Sequence, residues 1–314
     1  MSMLTTDRSE SIGPVPGARR RLNRSAIRKL LYGDGPIAPL SLPVVSAVWT
    51  AAALSALAAW FVLYAVVLSG LQQDRNNSVL YPQLREGLSG ATTPIGGAIA
   101  PGTPIALVSA PVAGLSDVVV VEGTAPTDLR NGPGHRRDTP LPGQAGVSVL
   151  FGRSRTYGAP FKHIAAMQKG QSLTVTTGQG SFTYRVIGVR RAGDPLPTPL
   201  AAGGSRLMLE TSTSTGLSSS NTVFVDAELK GASVAAPPGR LTGIPRNEQA
   251  MGNDTSGLIK LVLWAQALLL AMVAVVWAKA RWGIGQAWLV GLPLILAVLW
   301  GATGNVLMLL PNLF

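Results

Sequence analysis

Three long apolar runs and a series of short alternating ones divide this chain. Residues 43–69 carry no charge and are long enough to cross a bilayer as a helix; residues 258–280 and 284–310 repeat the signal. Between the first and second runs, residues 104–231 change period. Short β-branched runs at 105–109, 117–121, 147–151, 172–177, 182–190, 206–210 and 222–229 are separated by Gly and Pro, the pattern of a small closed sheet or sandwich. The stretch TVTTGQGSFTYRV predicts a hairpin that turns at Gly178–Gly180. A helix is expected over 159–168. Residues 70–103 read as a stalk leading to the β-domain, and the Pro/Gly-rich residues 232–257 as a linker back to the membrane. The predicted fold is a mainly β barrel of about eight strands with short helices, carried by three transmembrane α-helices.

Charge adds a topology to this picture. Residues 1–42 form a Pro/Gly/Ser-rich tail with seven Lys or Arg against three acids, including the cluster Arg19, Arg20, Arg21, Arg24, Arg28 and Lys29. Such a tail is expected to stay disordered near anionic lipid. It places the amino terminus in the cytoplasm, and Lys279 and Arg281, in the short turn between the last two runs, agree with that orientation. The β-domain and the final residues PNLF are then expected outside, in a multi-pass protein of the plasma membrane. Cleavage as a signal peptide is the competing reading, since small residues occur at Ala51–Ala53. The first run is far longer than a signal core of about 7–15 residues.

Composition narrows the chemistry. The net charge of +11 is spread along the chain, with no basic, aromatic-interleaved segment to suggest nucleic-acid binding. There is no cysteine, so disulfides, thiolate metal sites and thiol nucleophiles are excluded. No residue pattern asks for a cofactor or metal. Ala47, Ala51, Ser55 and Ala59 make a small-residue stripe on one helix face, suited to self-association or to another membrane protein. Gln266, Gln286 and Asn305 are expected to hydrogen-bond between helices. With no acid in the last two spans, an ion or proton path is not indicated.

Several short motifs then occur in a fixed order: VVVVEGT at 118–124, GPGH at 132–135, TPLPGQ at 139–144 and GRSRTYGAPF at 152–161. A Gly-initiated strand and hairpin follow over 170–186, with Gln171 where an aspartate would complete the pattern. In this order and spacing the segment resembles the sortase family, in its class E-like, actinobacterial form. The resemblance covers about residues 104–229 and implies a sortase-like barrel.

The family's chemistry, as the resemblance implies it, uses a cysteine thiolate to attack a sorting-signal carbonyl, a histidine to move the proton and an arginine to steady the oxyanion. The corresponding positions here are Ser212 for the cysteine, Arg153 for the histidine and Thr222 for the arginine. A guanidinium is no base at neutral pH. A serine hydroxyl needs a base beside it. An oxyanion donor of the missing kind is worth roughly 2.7–4 kcal/mol. The only histidines, His135 and His163, match no catalytic position. Glu210, two residues before Ser212 and on the same strand face, is a candidate ion-pair partner for Arg153. The expectation is a pseudosortase without catalytic residues, a membrane scaffold that binds a secreted or wall-assembled protein or peptide. The alternative is an active hydrolase or transpeptidase using Ser212.

Overall fold

The computed structural model describes residues 41–213, 221–255 and 257–314. Most of the basic tail, residues 1–40, lies outside the described residues. The alternating runs form eight strands: β1 (Pro104–Ala110), β2 (Leu115–Glu122), β3 (Gly134–His135), β4 (Gly146–Phe151), β5 (Ser172–Thr177), β6 (Gly180–Arg191), β7 (Ser205–Ser212) and β8 (Thr222–Leu229). They close into a barrel in the order β1-β2-β3-β4-β7-β8-β6-β5. Closure removes the free edges that an open sheet would expose. Along β6 the alternation is plain: Phe182, Tyr184 and Val186 point inward between exposed neighbours. Strand β7 is buried along nearly its whole length, because it lies between β4 and β8.

The three apolar runs are helices long and apolar enough to cross a membrane. The first, α1 (Leu42–Leu63), passes through one π-helical turn (Tyr64–Leu68) into α2 (Ser69–Ser89), a continuous 48-residue helix. Here the expected stalk is corrected. Its first half is the polar helix α2, and that helix lies against the barrel instead of holding it at a distance. Asn76 donates to Asn131 (2.8 Å), Asn77 accepts the Val119 amide (3.1 Å), and Ser69 accepts the Tyr157 amide (2.8 Å). Each bond satisfies a polar group that packing removes from water. Ala47, Ala51, Ser55 and Ala59 are exposed along α1.

The remaining helices, α4 (Gly257–Trp282) and α5 (Ile284–Leu307), form a hairpin that turns at Gly283. (A single turn, α3, occupies Pro126–Leu129.) The hairpin closes tightly because Gly291 and Gly301 sit against Val275 and Trp264, where a Cβ would collide. Lys279 and Arg281 occupy the last turn of α4, where cations complement the helix dipole. Trp60 on α1 donates to Thr303 on α5 (3.0 Å), and Tyr64 meets Trp300 edge-on at 5.1 Å. Asn305 does not bridge helices as expected; its side-chain amide donates to the Gly301 carbonyl of its own helix (2.8 Å).

Two further expectations fail for local reasons. In place of a helix over 159–168 there is one 3-10 turn, Ile164–Ala166. Tyr157, Gly158 and Ala159 all have positive φ, a left-handed bend that a right-handed helix cannot include, so the run is broken where the helix was expected to begin. The residues between β8 and α4 are no free linker either. Val234 exchanges backbone hydrogen bonds with Gly143 and Ala145. Arg240 reaches the buried Glu122 (2.7 Å), whose other oxygen meets His135 Nδ1 (2.9 Å). Arg137 holds Glu248 through two bonds of 3.0 and 2.6 Å. The connection is strapped to the barrel wall.

Candidate functional site

Three strand termini meet at one end of the barrel. Strand β4 runs parallel to β7 with Phe151 opposite Glu210, and β8 runs antiparallel to β7 with Thr222 directly opposite Ser212. The chain leaving β4 is held close to β7 because Gly152 donates to the Glu210 carbonyl (3.0 Å) and its own carbonyl accepts from Thr211 Oγ1 (2.8 Å). A Cβ on Gly152 would strike the Phe161 ring, so only glycine permits this approach. Arg153, Ser212 and Thr222, singled out from sequence, thus gather at one place.

Their side chains do not act together. Arg153 is fully buried (0%), and its hydrogen-bond partners are Thr156 and the Pro126 carbonyl, not Ser212. Its guanidinium donates to Thr156 Oγ1 (3.1 Å) and lies 5.0 Å from the centre of the Tyr157 ring, while Nε has no partner. Burial pulls its pKa down to about 10, partly opposed by Tyr157, which leaves it protonated at neutral pH. The ion pair expected between Arg153 and Glu210 is not formed. The cations whose charge acts on Glu210 are Arg136 and Arg190. Both of these are committed elsewhere, Arg136 to Asp138 and Arg190 to Asp226, each at 2.7 Å.

Left without a cation of its own, Glu210 responds to burial, which lifts its carboxyl from 4.5 to about 7, with Arg136 and Arg190 opposing the rise. Burial likewise raises Asp128 from 3.8 to about 6. For Glu210 the folded-state pKa exceeds the unfolded one, so the folded state binds its proton more tightly. Its favourable contribution is complete below the unfolded value and is lost as pH rises through the folded one. The unfolding free energy of the protein relative to Glu210→Gln should therefore fall by on the order of 2–3 kcal/mol between pH 4.5 and pH 8. Parallel denaturation curves for the two proteins across that range check it; a flat difference would show that Glu210 is not buried as described.

Ser212 is 1% exposed. Its Oγ lies 2.9 Å from Ser154 Oγ and donates to the carbonyl of Leu313 (2.8 Å). Ser154 reaches the same carbonyl through its hydroxyl (3.1 Å) and its backbone amide (3.2 Å). Leu313 belongs to the segment that follows α5, which turns back into the barrel end. Ser154, Thr156 and Leu313 are the site residues that sequence reasoning missed. Beside this contact opens a groove of about 770 Å³, whose walls include Ser212, Thr213, Arg155, Lys162 and Arg191. No imidazole is near the serines' partners: His135 is engaged with Glu122 and the Pro140 carbonyl, and His163 is exposed.

Chemically, the arrangement offers hydroxyl and amide donors to a peptide carbonyl oxygen. Among the described residues, the hydrogen-bond partners of the two serine hydroxyls are each other and the Leu313 carbonyl, with no carboxylate or imidazole between them, and a hydroxyl that donates to the carbonyl oxygen is not directed at its carbon.

Residues 108–225 match the family model of the sortase domain. Over 72 residues the chain is 33% identical to sortase D of Bacillus subtilis (strain 168), a match that takes in 23% of this chain and 35% of that relative's length. Among solved structures, sortase E from Streptomyces avermitilis is similar at 28% identity and TM-score 0.36, covering 48% of this chain and 100% of that one. A sortase D5 transpeptidase from Clostridium perfringens is similar at 20% identity and TM-score 0.41, covering 50% and 99%.

Proposed function

We propose that the segment matching the sortase domain, residues 108–225, is non-catalytic: a membrane-anchored binder or scaffold for a secreted or cell-envelope protein or peptide. The observation that carries this reading is the state of Ser212. Its hydroxyl, at the position of the family's nucleophile, is buried and engaged with Ser154 and the Leu313 carbonyl, with no base among its partners. The neighbouring positions support it. Arg153 replaces the proton-transferring histidine with a group that stays charged at pH 7. Thr222 replaces the oxyanion-binding arginine with a residue that carries no charge. The absence of any cysteine from the 314 residues supports it independently of alignment. In this reading the basic amino-terminal tail is cytoplasmic, and the barrel and the end of α5 lie outside the cell.

The purified full chain, incubated with sorting-signal peptides and an amine acceptor, is expected to yield neither hydrolysis nor transpeptidation above the level of Ser212→Ala. Turnover that disappears in Ser212→Ala would overturn the proposal in favour of a serine-dependent enzyme.

A further inference from the structure

The four residues Pro311 to Phe314 sit in the barrel end as a ligand would. They form a turn, with the Phe314 amide donating to the Pro311 carbonyl (3.0 Å). Asn312 and Leu313 are completely buried and Phe314 nearly so, although the segment contributes to no strand or helix. Its polar groups are met by donors and acceptors from distant parts of the chain. The Asn312 side-chain amide donates to the carbonyls of Asn247 and Gln249, both at 2.7 Å, and its backbone amide to Gly252 (3.0 Å). The Leu313 carbonyl takes the Ser154 and Ser212 donors described above. The main-chain oxygen of Phe314 accepts from Thr156 Oγ1 (3.0 Å) and from the amides of Arg155 and Thr156, both at 3.3 Å. The Leu313 side chain fills a pocket of Leu129, Val149 and Phe151.

Around this small segment the buried main-chain carbonyls and the Asn312 amide nitrogen find partners, Asn312 Oδ1 alone being left without one, which marks a site shaped for it. Specificity has a physical source at each position: an amide at 312 that must donate twice, a leucine-sized side chain at 313, and a carbonyl between two serine hydroxyls. We infer that the barrel end is a peptide-recognition site for a turn of this composition, and that residues 311–314 are its resident ligand, held in cis. This deepens the reading of the domain as a non-catalytic binder and rests on it. The site is closed while the turn is docked, and it becomes available to another peptide of the same kind when the turn leaves. Arg153, behind the site, serves it indirectly: its guanidinium donates to Thr156 Oγ1, and that hydroxyl in turn donates to Phe314.

The missing cysteine makes a direct test possible. Ser212→Cys introduces the only thiol into the chain, so a maleimide reports on this one position. In the full chain, held in detergent or nanodiscs, the thiol should be protected. Removing residues 311–314 should speed labelling by at least about tenfold. A soluble peptide carrying the sequence of residues 309–314 should restore protection in the truncated chain, and the same peptide with aspartate at the position of Leu313 should not. Should the truncated chain fail to fold, Asn312→Ala in the full chain removes two hydrogen bonds and should itself accelerate labelling by about tenfold.

Equal labelling of intact and loosened chains would overturn the inference, because the turn would then not cover Ser212. Exposure on truncation with no protection by the peptide would also overturn it, showing an anchor and not a recognition site. Neither result depends on turnover, so the two proposals fail separately.

Discussion

Replacing Leu313 with aspartate is expected to lower the stability of the barrel by about 3 kcal/mol, and by no more than deletion of residues 311–314 does. Full burial of a leucine contributes about 1.5–3 kcal/mol, and each hydrogen bond of the turn about 0.5–1.5 kcal/mol net. Ordering four residues opposes these gains at about 1–2 kcal/mol each. In an obligate core position, a buried aspartate would be worse than simple loss of the leucine, because the unpaired carboxylate is costly. The turn around Leu313 has another course: it can undock. Its loss then saturates at the free energy of docking, as for a ligand that no longer binds. Unfolding midpoints for the protein, Leu313→Asp and the deletion check this, with a shift of roughly 6–12 °C if the barrel scales as a domain of 150–250 residues. An aspartate variant much less stable than the deletion would mean that Leu313 is ordinary core. Leu313→Met, similar in volume, should cost less than about 1.5 kcal/mol.

The same contrast between local and distant causes separates what was legible in the sequence from what was not. The eight-stranded barrel and the three apolar helices were legible because their signals are periodic and local: Phe182, Tyr184 and Val186 alternate inward in β6, and long apolar runs admit few other structures. Strand β3 was not, since two residues, Gly134 and His135, carry no period. Helix α2 was hidden by its composition. SGLQQDRNNSVLYPQLREGLS contains Pro82, two adjacent asparagines and two glycines, poor helix formers on their own. It is helical because it continues an existing helix, which spares it nucleation, and because Asn76 and Asn77 dock on the barrel.

At the site, the resemblance to the sortase family singled out Arg153, Ser212 and Thr222, and the pairing of β4 and β8 with β7 brings them together. The direction of the Arg153 side chain could not be anticipated. It depends on Gly152 packing beneath Phe161 and on the bend at Tyr157 to Ala159, which bring Thr156 within reach of the guanidinium. Nor could the occupant of the barrel end be foreseen. Leu313 meets Ser154 across 159 positions of chain, and no local pattern in PNLF announces that contact.

The second large effect is expected at the opposite kind of contact, a buried charge cluster. Glu122 on β2 is 1% exposed and is shared by His135 Nδ1 (2.9 Å) and Arg240 (2.7 Å), while His135 Nε2 lies 3.0 Å from the Pro140 carbonyl. Arg240 also donates to the Thr139 carbonyl (2.9 Å), so one guanidinium fastens the segment between β8 and α4 to the barrel. Arg240→Ala leaves the carboxylate buried without its cation and should cost about 3–5 kcal/mol, the range for breaking a buried pair from one side. Glu122→Gln alone should also destabilise, because Arg240 then keeps its burial but loses its counter-charge. Combining Glu122→Gln with Arg240→Ala removes both charges at once, and the double variant should be more stable than the sum of the single losses predicts by about 1–3 kcal/mol. Denaturant midpoints supply the cycle. Hydrogen exchange supplies its structural counterpart: in Arg240→Ala the amides of residues 232–255 should lose protection more than those of β5 and β6, because the strap opens before the barrel does. Additive losses, or uniform exchange across the domain, would show that the cluster is a local ion pair and not the fastening of the strap.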